Sequence, residues 1–390
     1  MNFSGEILAR NKGVVICGFY GNHNLGDDAM LHGMINLLRK QQHDLSFTVF
    51  SNDPQDTQSR YYVQSVHRYK QDVKIQRLLK ILESRYFVLG GGDLLRDSLQ
   101  HTVAPKWLRF LQQALKFRRR TLVIGISVGE IWKPETKVLI PKVLNKVDFL
   151  AVRDIQSKNK LEELGVCNSI HVMSDLALQA IPETLSQSIR PANQPLQIGI
   201  SVRHLSGRGI SVDVDVYHSL EKEIAALADF LVEKYGAIVH FLPFRTYENS
   251  YHHTDDDYVS ILSLLRYSRH SAQFVVHRYF KSLENLNTLI SSLDLMIGMR
   301  LHSLILSAGL GVPIIAAEYD PKVHGFMEEI GQPELSIPLN CFDQTRLIPI
   351  IETILNDPLT ARLSIEAGVK NYTQRMTGVE IALKNVLSNN

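Results

Sequence analysis

Cysteine is scarce in this 390-residue chain: Cys17, Cys167 and Cys341 are its three, far apart and with no metal-type pair among them. An odd, scattered count suits a reducing compartment rather than a disulfide framework. Long apolar runs are also lacking. Val14 to Tyr20 is far too short to cross a bilayer, and no longer run follows it. The start of the chain lacks the apolar block and cleavage site of an export signal. Nor does one charge dominate: 42 Lys and Arg stand against 40 Asp and Glu, a formal net charge of +2. Local basic runs such as Lys116 to Arg120 do not extend into a tail, which argues against a nucleic-acid or other polyanion scaffold. These absences leave a cytosolic enzyme as the expectation, with contact to a membrane-bound substrate at the inner face of the plasma membrane left open. The length suits two domains, each large enough for its own core.

What is present is a series of short apolar strands, each ended by glycine or by a charged group. Gly13 to Phe19 opens the chain as a strand, a loop runs from Tyr20 to Asp28, and Ala29 to Arg39 reads as a helix. Strand, glycine loop and helix begin a doubly wound domain. The loop GFYGNHNLGDDAM has the wrong glycine spacing for a dinucleotide fingerprint. Gly18, Gly21 and Gly26 would let backbone amides approach a ligand, Asn24 and Asp27 would hydrogen-bond it, and Asp28 would cap the helix. Ser46 to Phe50 is the next strand, with Ser51 to Tyr62 as its exit loop. Lys70 to Leu82 is a basic amphipathic helix, read as a solvated face in preference to a membrane anchor. Arg85 to Leu89 is a strand meeting Gly90-Gly91-Gly92-Asp93, where three glycines would give a backbone nest or a close ligand approach. Asp148 to Val152 is a strand meeting Arg153, either a cation for the site or one member of a local ion pair with Asp154 or Glu162.

Ile181 to Pro195, proline-rich and without period, reads as the linker. The expected organisation is a Rossmann-like domain over 1–182, a linker over 183–195 and a second Rossmann-like domain over 196–358. Helices over 359–390 would pack back on the first domain. Gln197 to Val202 is a strand leading to Arg203, with Ser201 and Arg203 on one side of it by alternation. His252, His253 and Asp255 to Asp257 fit no ligand spacing, and the aspartates are expected to cap a helix over 258–267.

The most informative stretch is Asp294 to Gly325, DLMIGMRLHSLILSAGLGVPIIAAEYDPKVHG. A buried strand, Leu293 to Ile297, meets Arg300 and His302 at the start of a helix. A second strand, Pro313 to Ala317, empties into Asp320 and Lys322. Ligands in such parallel sheets bind beyond the carboxyl ends of the strands. Two cations, an imidazole and a helix N-terminus gathered there suit an anion.

The R-L-H segment followed by Y-D-P-K resembles the closing motif of the polysaccharide pyruvyl transferases. The G-x-x-G with N-x-G-D, the G-G-G, the V-R-D-x-x-S before Leu164-Gly165-Val166 and the G-x-S-x-R at Gly199 to Arg203 resemble further motifs of that family. The resemblance spans Gly18 to about Gly331, and the long insert Phe244 to Asp257 departs from it. It implies an α/β fold of two Rossmann-like domains facing a cleft, similar to glycosyltransferase-B. It implies transfer of the enolpyruvyl carbons of phosphoenolpyruvate onto two hydroxyls of a sugar, free or lipid-linked, as a pyruvate ketal. Phosphoenolpyruvate is doubly anionic, which makes Arg153, Arg203, Arg300 and Lys322 its candidate ligands. His302 is the candidate general acid/base and Asp27 a second candidate base. Gly21, Asn24, Gly91, Gly92, Asp93 and Ser201 are candidates for the acceptor and cleft loops. The scheme requires no metal and no cofactor. Two alternatives stay open at this point: a nucleotide-sugar glycosyltransferase of the same architecture, and a non-catalytic glycan-binding member.

Overall fold

The computed structural model describes residues 12–98, 103–185, 190–191, 193–207, 210–211, 214–247 and 256–388. Contacts divide the chain into two units, Met1–Asn22 with Asp27–Ala180 and Thr373–Asn390, and His23–Gly26 with Ile181–Tyr372. The chain thus passes to the second unit at Ile181 and returns at Thr373. The expected return at residue 359 falls within a helix that stays almost wholly with the second unit.

In the first unit, β1 (Gly13–Cys17) leads to α1 (Leu25–Gln41), β2 (Ser46–Ser51), α2 (Pro54–Tyr61), β3 (Gln64–His67) and α3 (Lys74–Glu83). Then come β4 (Tyr86–Leu95), α4 (Ala104–Lys116), β5 (Arg120–Val128), α5 (Pro134–Leu144), β6 (Phe149–Val152), α6 (Ile155–Glu163) and β7 (His171–Val172). The sheet order is β3-β2-β1-β4-β5-β6-β7, and every pair is parallel. Strands buried on both faces explain the continuous apolar runs seen in the sequence. The order reverses between β1 and β4, the place where open sheets of this kind take ligands.

Two local expectations change here. The segment after β2 is not only a loop: Asp53 accepts from Asp56 N at 3.1 Å and Pro54 opens α2, a cap and starter that a polar composition hides. The glycine triplet lies inside β4 rather than after a strand. Pairing continues from Gly90–Ile124 to Gly92–Ile126, while Gly91 and Gly92 take φ of 73° and 87° and Gly125, on β5, takes 67°. Left-handed glycines on neighbouring strands bend both without ending the ladder.

In the second unit, β8 (Gln197–Ser201) precedes a small antiparallel ribbon of β9 (Ser206–Gly207) and β10 (Ile210–Ser211), then α7 (Val214–Tyr235) and β11 (Ile238–Phe241). These are followed by α8 (Asp257–Leu265), β12 (Val275–Val276), α9 (Leu283–Ser291), β13 (Leu295–Gly298), α10 (Leu301–Gly309), β14 (Ile314–Glu318), α11 (Pro321–Glu329) and β15 (Ser336–Pro338). α12 (Gln344–Asn356) and α13 (Pro358–Gln374) follow. The parallel order β12-β11-β8-β13-β14-β15 reverses between β8 and β13. α14 (Met376–Ser388) returns to the first unit, where Tyr86 Oη donates to the Leu387 carbonyl at 2.8 Å.

Among the described residues no helix is long and apolar enough to cross a membrane, and no group of three His, Cys, Asp or Glu could hold a metal ion.

Candidate functional site

In the second unit the sequence candidates gather at the switch between β8 and β13. Ser201 and Gly298 are register partners, and Arg203 and Arg300 each lie two residues beyond that pair. Arg300 is the N-cap residue of α10 and His302 sits in that helix's first turn. First-turn backbone N–H groups lack helical acceptors, so this end of α10 favours negative charge.

Arg300 is buried and turned onto a carboxylate. Its Nε donates to Asp257 Oδ1 at 3.1 Å and Oδ2 at 2.9 Å, and its Nη2 donates to Oδ1. Asp257 is fully buried and also accepts from the backbone N–H of Phe244 at 3.0 Å and of Arg245 at 2.9 Å. Its neighbour Asp256 does the capping, accepting from Tyr258 N at 3.0 Å. The chain after β11 is therefore clamped to the start of α10 through one carboxylate. Breaking a buried pair of this kind costs about 3–5 kcal/mol.

The clamp extends to residues 23–26. Leu25 N donates to the Phe244 carbonyl at 2.8 Å, Asn24 and Arg245 form an antiparallel bridge, and Thr246 N donates to the His23 carbonyl at 3.3 Å. Asn24 Oδ1 accepts from Gly26 N at 3.0 Å. A Cβ on Gly26 would run into the His302 imidazole, so glycine is what lets this loop lie against the ring. The Asn-x-Gly motif thus serves the position of His302, a role that its reading as a ligand loop did not include.

Arg203 differs from Arg300 in having no carboxylate in contact among the described residues. Its Nη1 donates to Tyr319 Oη at 2.6 Å, its guanidinium lies 4.8 Å from the centroid of the Tyr319 ring, and its Nε has no partner among the described residues. A cation that retains donor capacity in a partly buried setting is well suited to an anion. Lys322 is half-buried in the first turn of α11, which Asp320 caps by accepting from Lys322 N at 3.0 Å. Ser201 is buried, and its hydroxyl has no partner among the described residues; a small internal cavity is lined by Ser201, Ile224, Phe342 and neighbouring strand residues. His252, His253 and Asp255 lie outside the described residues.

The first unit holds its candidates differently. Arg153, just past β6, donates from Nη1 to Asp175 Oδ2 at 3.0 Å and from Nη2 to Ser127 Oγ at 3.0 Å. Asp154 is farther, at 4.0 Å, and Glu162 pairs with Lys158 instead. The main partner is thus neither of the two local acids that sequence proximity suggested. Asp27 is buried in the first turn of α1, and Asp93 ends the glycine segment of β4 and faces Arg96 at 3.6 Å. Asp28 is also buried in that first turn of α1 rather than capping it; burial pushes its carboxyl up to about 7, against the pull of Arg60. Gly21 takes φ of 71°, and Asn22 Nδ2 ties the loop by donating to the Phe19 carbonyl at 2.8 Å.

A residue absent from the sequence reading anchors that loop. Arg68, after β3, is buried and donates to the carbonyls of Gly18 and Tyr20, the latter at 3.2 Å. Its guanidinium lies over Tyr69 at 4.9 Å and Trp107 at 5.1 Å. The only hint in the sequence was an arginine just past a short strand. Burial pushes the Cys17 thiol up to about 12, which makes it a packing residue rather than a nucleophile.

Solved structures share this architecture. The putative UDP-N-acetylglucosamine 2-epimerase of Listeria monocytogenes superposes with a TM-score of 0.61 at 11% identity, covering 95% of this chain and 96% of its own. A glycosyltransferase of Rickettsia africae gives 0.60 at 13% identity, covering 97% and 100%. At such identities the likeness shows the fold alone: two Rossmann-like α/β units of the glycosyltransferase-B type. In sequence, the amylovoran biosynthesis protein AmsJ of Erwinia amylovora is 26% identical over 387 residues, 86% of this chain and 91% of that protein. Residues 24–321 match the polysaccharide pyruvyl transferase family from the Asn-x-Gly-Asp loop through Arg300 and His302 to Pro321, and the chain belongs to that family.

Proposed function

We propose that this chain transfers the pyruvyl group of phosphoenolpyruvate to two hydroxyls of a sugar in a polysaccharide or its lipid-linked precursor. Two C–O bonds form at the enol carbon, the bond to phosphate breaks and the methylene becomes a methyl group. Of the two hydroxyl protons released, one balances the methyl group and the other leaves with phosphate.

The observation that carries this reading is His302 in the first turn of α10, braced by Gly26 and by the Asp257–Arg300 pair, within a chain of this family. Imidazole gives and takes protons near neutral pH, as protonation of a methylene and deprotonation of a hydroxyl require. Arg203 and Lys322 are the proposed ligands of the donor's phosphate and carboxylate. Arg300 and Arg153 carry charge already matched by Asp257 and Asp175, so they act by holding their strand ends in shape. Asp27 is the proposed base for an acceptor hydroxyl; Gly21, Gly91, Gly92 and Asp93 in the first unit, and Asn24 and Ser201 in the second, are proposed acceptor contacts.

The test is incubation with phosphoenolpyruvate and a panel of disaccharide and lipid-linked acceptors in deuterated water, followed by mass spectrometry. The expected product is an acceptor carrying a pyruvate ketal whose methyl group holds one deuterium from solvent. A sugar added from a nucleotide donor, with phosphoenolpyruvate untouched, would instead establish an ordinary glycosyltransferase. Tight glycan binding with no product of either kind would establish a binding protein.

A further inference from the structure

The helix α3 is amphipathic twice over. Arg77 and Ile81 are buried, with Arg77 Nη1 donating to the carbonyls of His67 at 2.9 Å and Lys70 at 2.7 Å. On other faces of the helix, Ile75, Leu79 and Leu82 are 73%, 48% and 48% exposed. Their spacing of four and three places them in one stripe along two helical turns, about 10 Å long. Scattered single apolar residues on a surface need no explanation, but a row of three aliphatic side chains on one exposed helix face does.

The charge beside that stripe is mostly positive. From Ser98 to Gly129 the sequence has no Asp or Glu and has six Lys and Arg. Within it, α4 runs alongside α3. Tyr69, ahead of α3, makes ring contacts with Trp107 and Phe110 of α4 at 6.2 Å each, and Arg119, past α4, donates to the Ser84 carbonyl beyond the end of α3 at 3.1 Å. Lys106, Arg109 and Lys116 are exposed on α4, Lys74 is exposed at the start of α3 and Lys70 is exposed ahead of it. Of the nearby acids, Asp72 is exposed and Glu83 lies 3.4 Å from Lys80. Tyr69, 40% exposed, adds an aromatic with an apolar body and a polar tip.

We infer that this α3–α4 face docks the protein on an anionic lipid bilayer. Ile75, Leu79 and Leu82 enter the boundary between headgroups and acyl chains, and the lysines and arginines meet lipid phosphates. An aliphatic stripe rimmed by cations is the pattern of a helix lying in a membrane interface. A second copy of the chain fits less well, because pairing two such faces would bring their cationic rims together. Docking is separate from the chemistry of transfer, although it would bring the enzyme to a lipid-linked acceptor.

The test is flotation of the full chain with vesicles of phosphatidylcholine alone and of phosphatidylcholine mixed with phosphatidylglycerol, at low and high salt. The wild type is expected to float with the anionic vesicles only, and less so at high salt. The variant Ile75→Ser/Leu79→Ser/Leu82→Ser and, separately, Lys106→Glu/Arg109→Glu/Lys116→Glu are each expected to lower binding at least about tenfold. All six positions are exposed, so the melting temperature should stay at the wild-type value. The second set lies on another helix and keeps the test informative if the first loses stability. Wild-type protein that floats with neither vesicle, or variants that float as well as wild type, would overturn the inference. So would a concentration-dependent dimer that the serine variant abolishes in protein that binds no vesicle. Because flotation needs neither donor nor acceptor, its failure would leave the reading of the reaction untouched.

Discussion

The two units set a buried arginine–aspartate pair past a strand of the same kind of parallel sheet, yet the pairs do different work. In the first unit Arg153 joins Asp175 and Ser127, cross-linking β5, the end of β6 and the turn that leaves the sheet. In the second, Arg300 joins Asp257, whose other contacts reach the backbone of Phe244 and Arg245 and, through them, the loop beside His302. One pair fastens a fold; the other also sets the position of a titratable ring. A charged residue at a strand end is therefore a weak indicator of function until its partner is known, and the partner's further bonds decide its role.

The widest gap between the units should come from His302→Ala. Turnover is expected to fall by about 10²–10⁴-fold with little change in melting temperature, because the ring is half-buried and outside either core. Near-wild-type turnover would remove His302 from the mechanism.

Next come the paired variants Asp257→Asn and Asp175→Asn, each expected to cost about 3–5 kcal/mol in denaturant unfolding. The comparison predicts that Asp257→Asn also lowers kcat under conditions where the protein is folded, while Asp175→Asn does so much less. Equal losses of kcat would erase the distinction between the two pairs.

Arg203→Lys sharpens the contrast between Arg203 and the carboxylate-paired Arg300. It should raise KM for phosphoenolpyruvate roughly tenfold and move kcat less, since lysine keeps the charge and loses the planar fork. An unchanged KM would move the donor site elsewhere. Gly26→Ala should cost a smaller factor, about three- to tenfold in kcat, by displacing the His302 ring. Full activity in that variant would show that the ring has room to shift.

The smallest effects separate the units by pH. Burial raises the Asp28 carboxyl from 3.8 to about 7, so the stability it contributes to the first unit is complete below about 4 and is lost as pH rises through about 7. Burial, helped by His277, lowers His240 in the second unit from 6.5 to about 4, so its contribution is complete above 6.5 and is lost as pH falls through about 4. Hydrogen exchange followed peptide by peptide across that window should show opposite slopes in the two units. Asp28→Asn should flatten the first and His240→Gln the second. Parallel slopes that neither variant alters would contradict the assignment.

The sequence made the architecture legible because parallel strands buried on both faces leave unbroken apolar runs, and glycine or charge marks where they stop. Arg203, Arg300, His302 and Lys322 could be placed at strand ends on that basis alone. Their partners could not. Asp175 lies 22 residues from Arg153, Asp257 lies 43 from Arg300, and Tyr319 lies 116 from Arg203. No periodicity reports contacts at such separations. The glycines misled for a related reason: Gly26 makes room for an imidazole and Gly91 bends a continuing strand, roles that look identical to ligand approach when only the residue type is visible. Arg68 is not legible in the sequence, because a buried arginine held by carbonyls and aromatic faces has no local signature.

The most direct test of the central claim is the rate of inorganic phosphate release from phosphoenolpyruvate, with a mixed panel of disaccharide and lipid-linked acceptors, by the wild type and His302→Ala. Acceptor-dependent release by the wild type and a loss of at least about a hundredfold in the variant are expected. Release that needs no acceptor, or that survives removal of the imidazole, would contradict that claim.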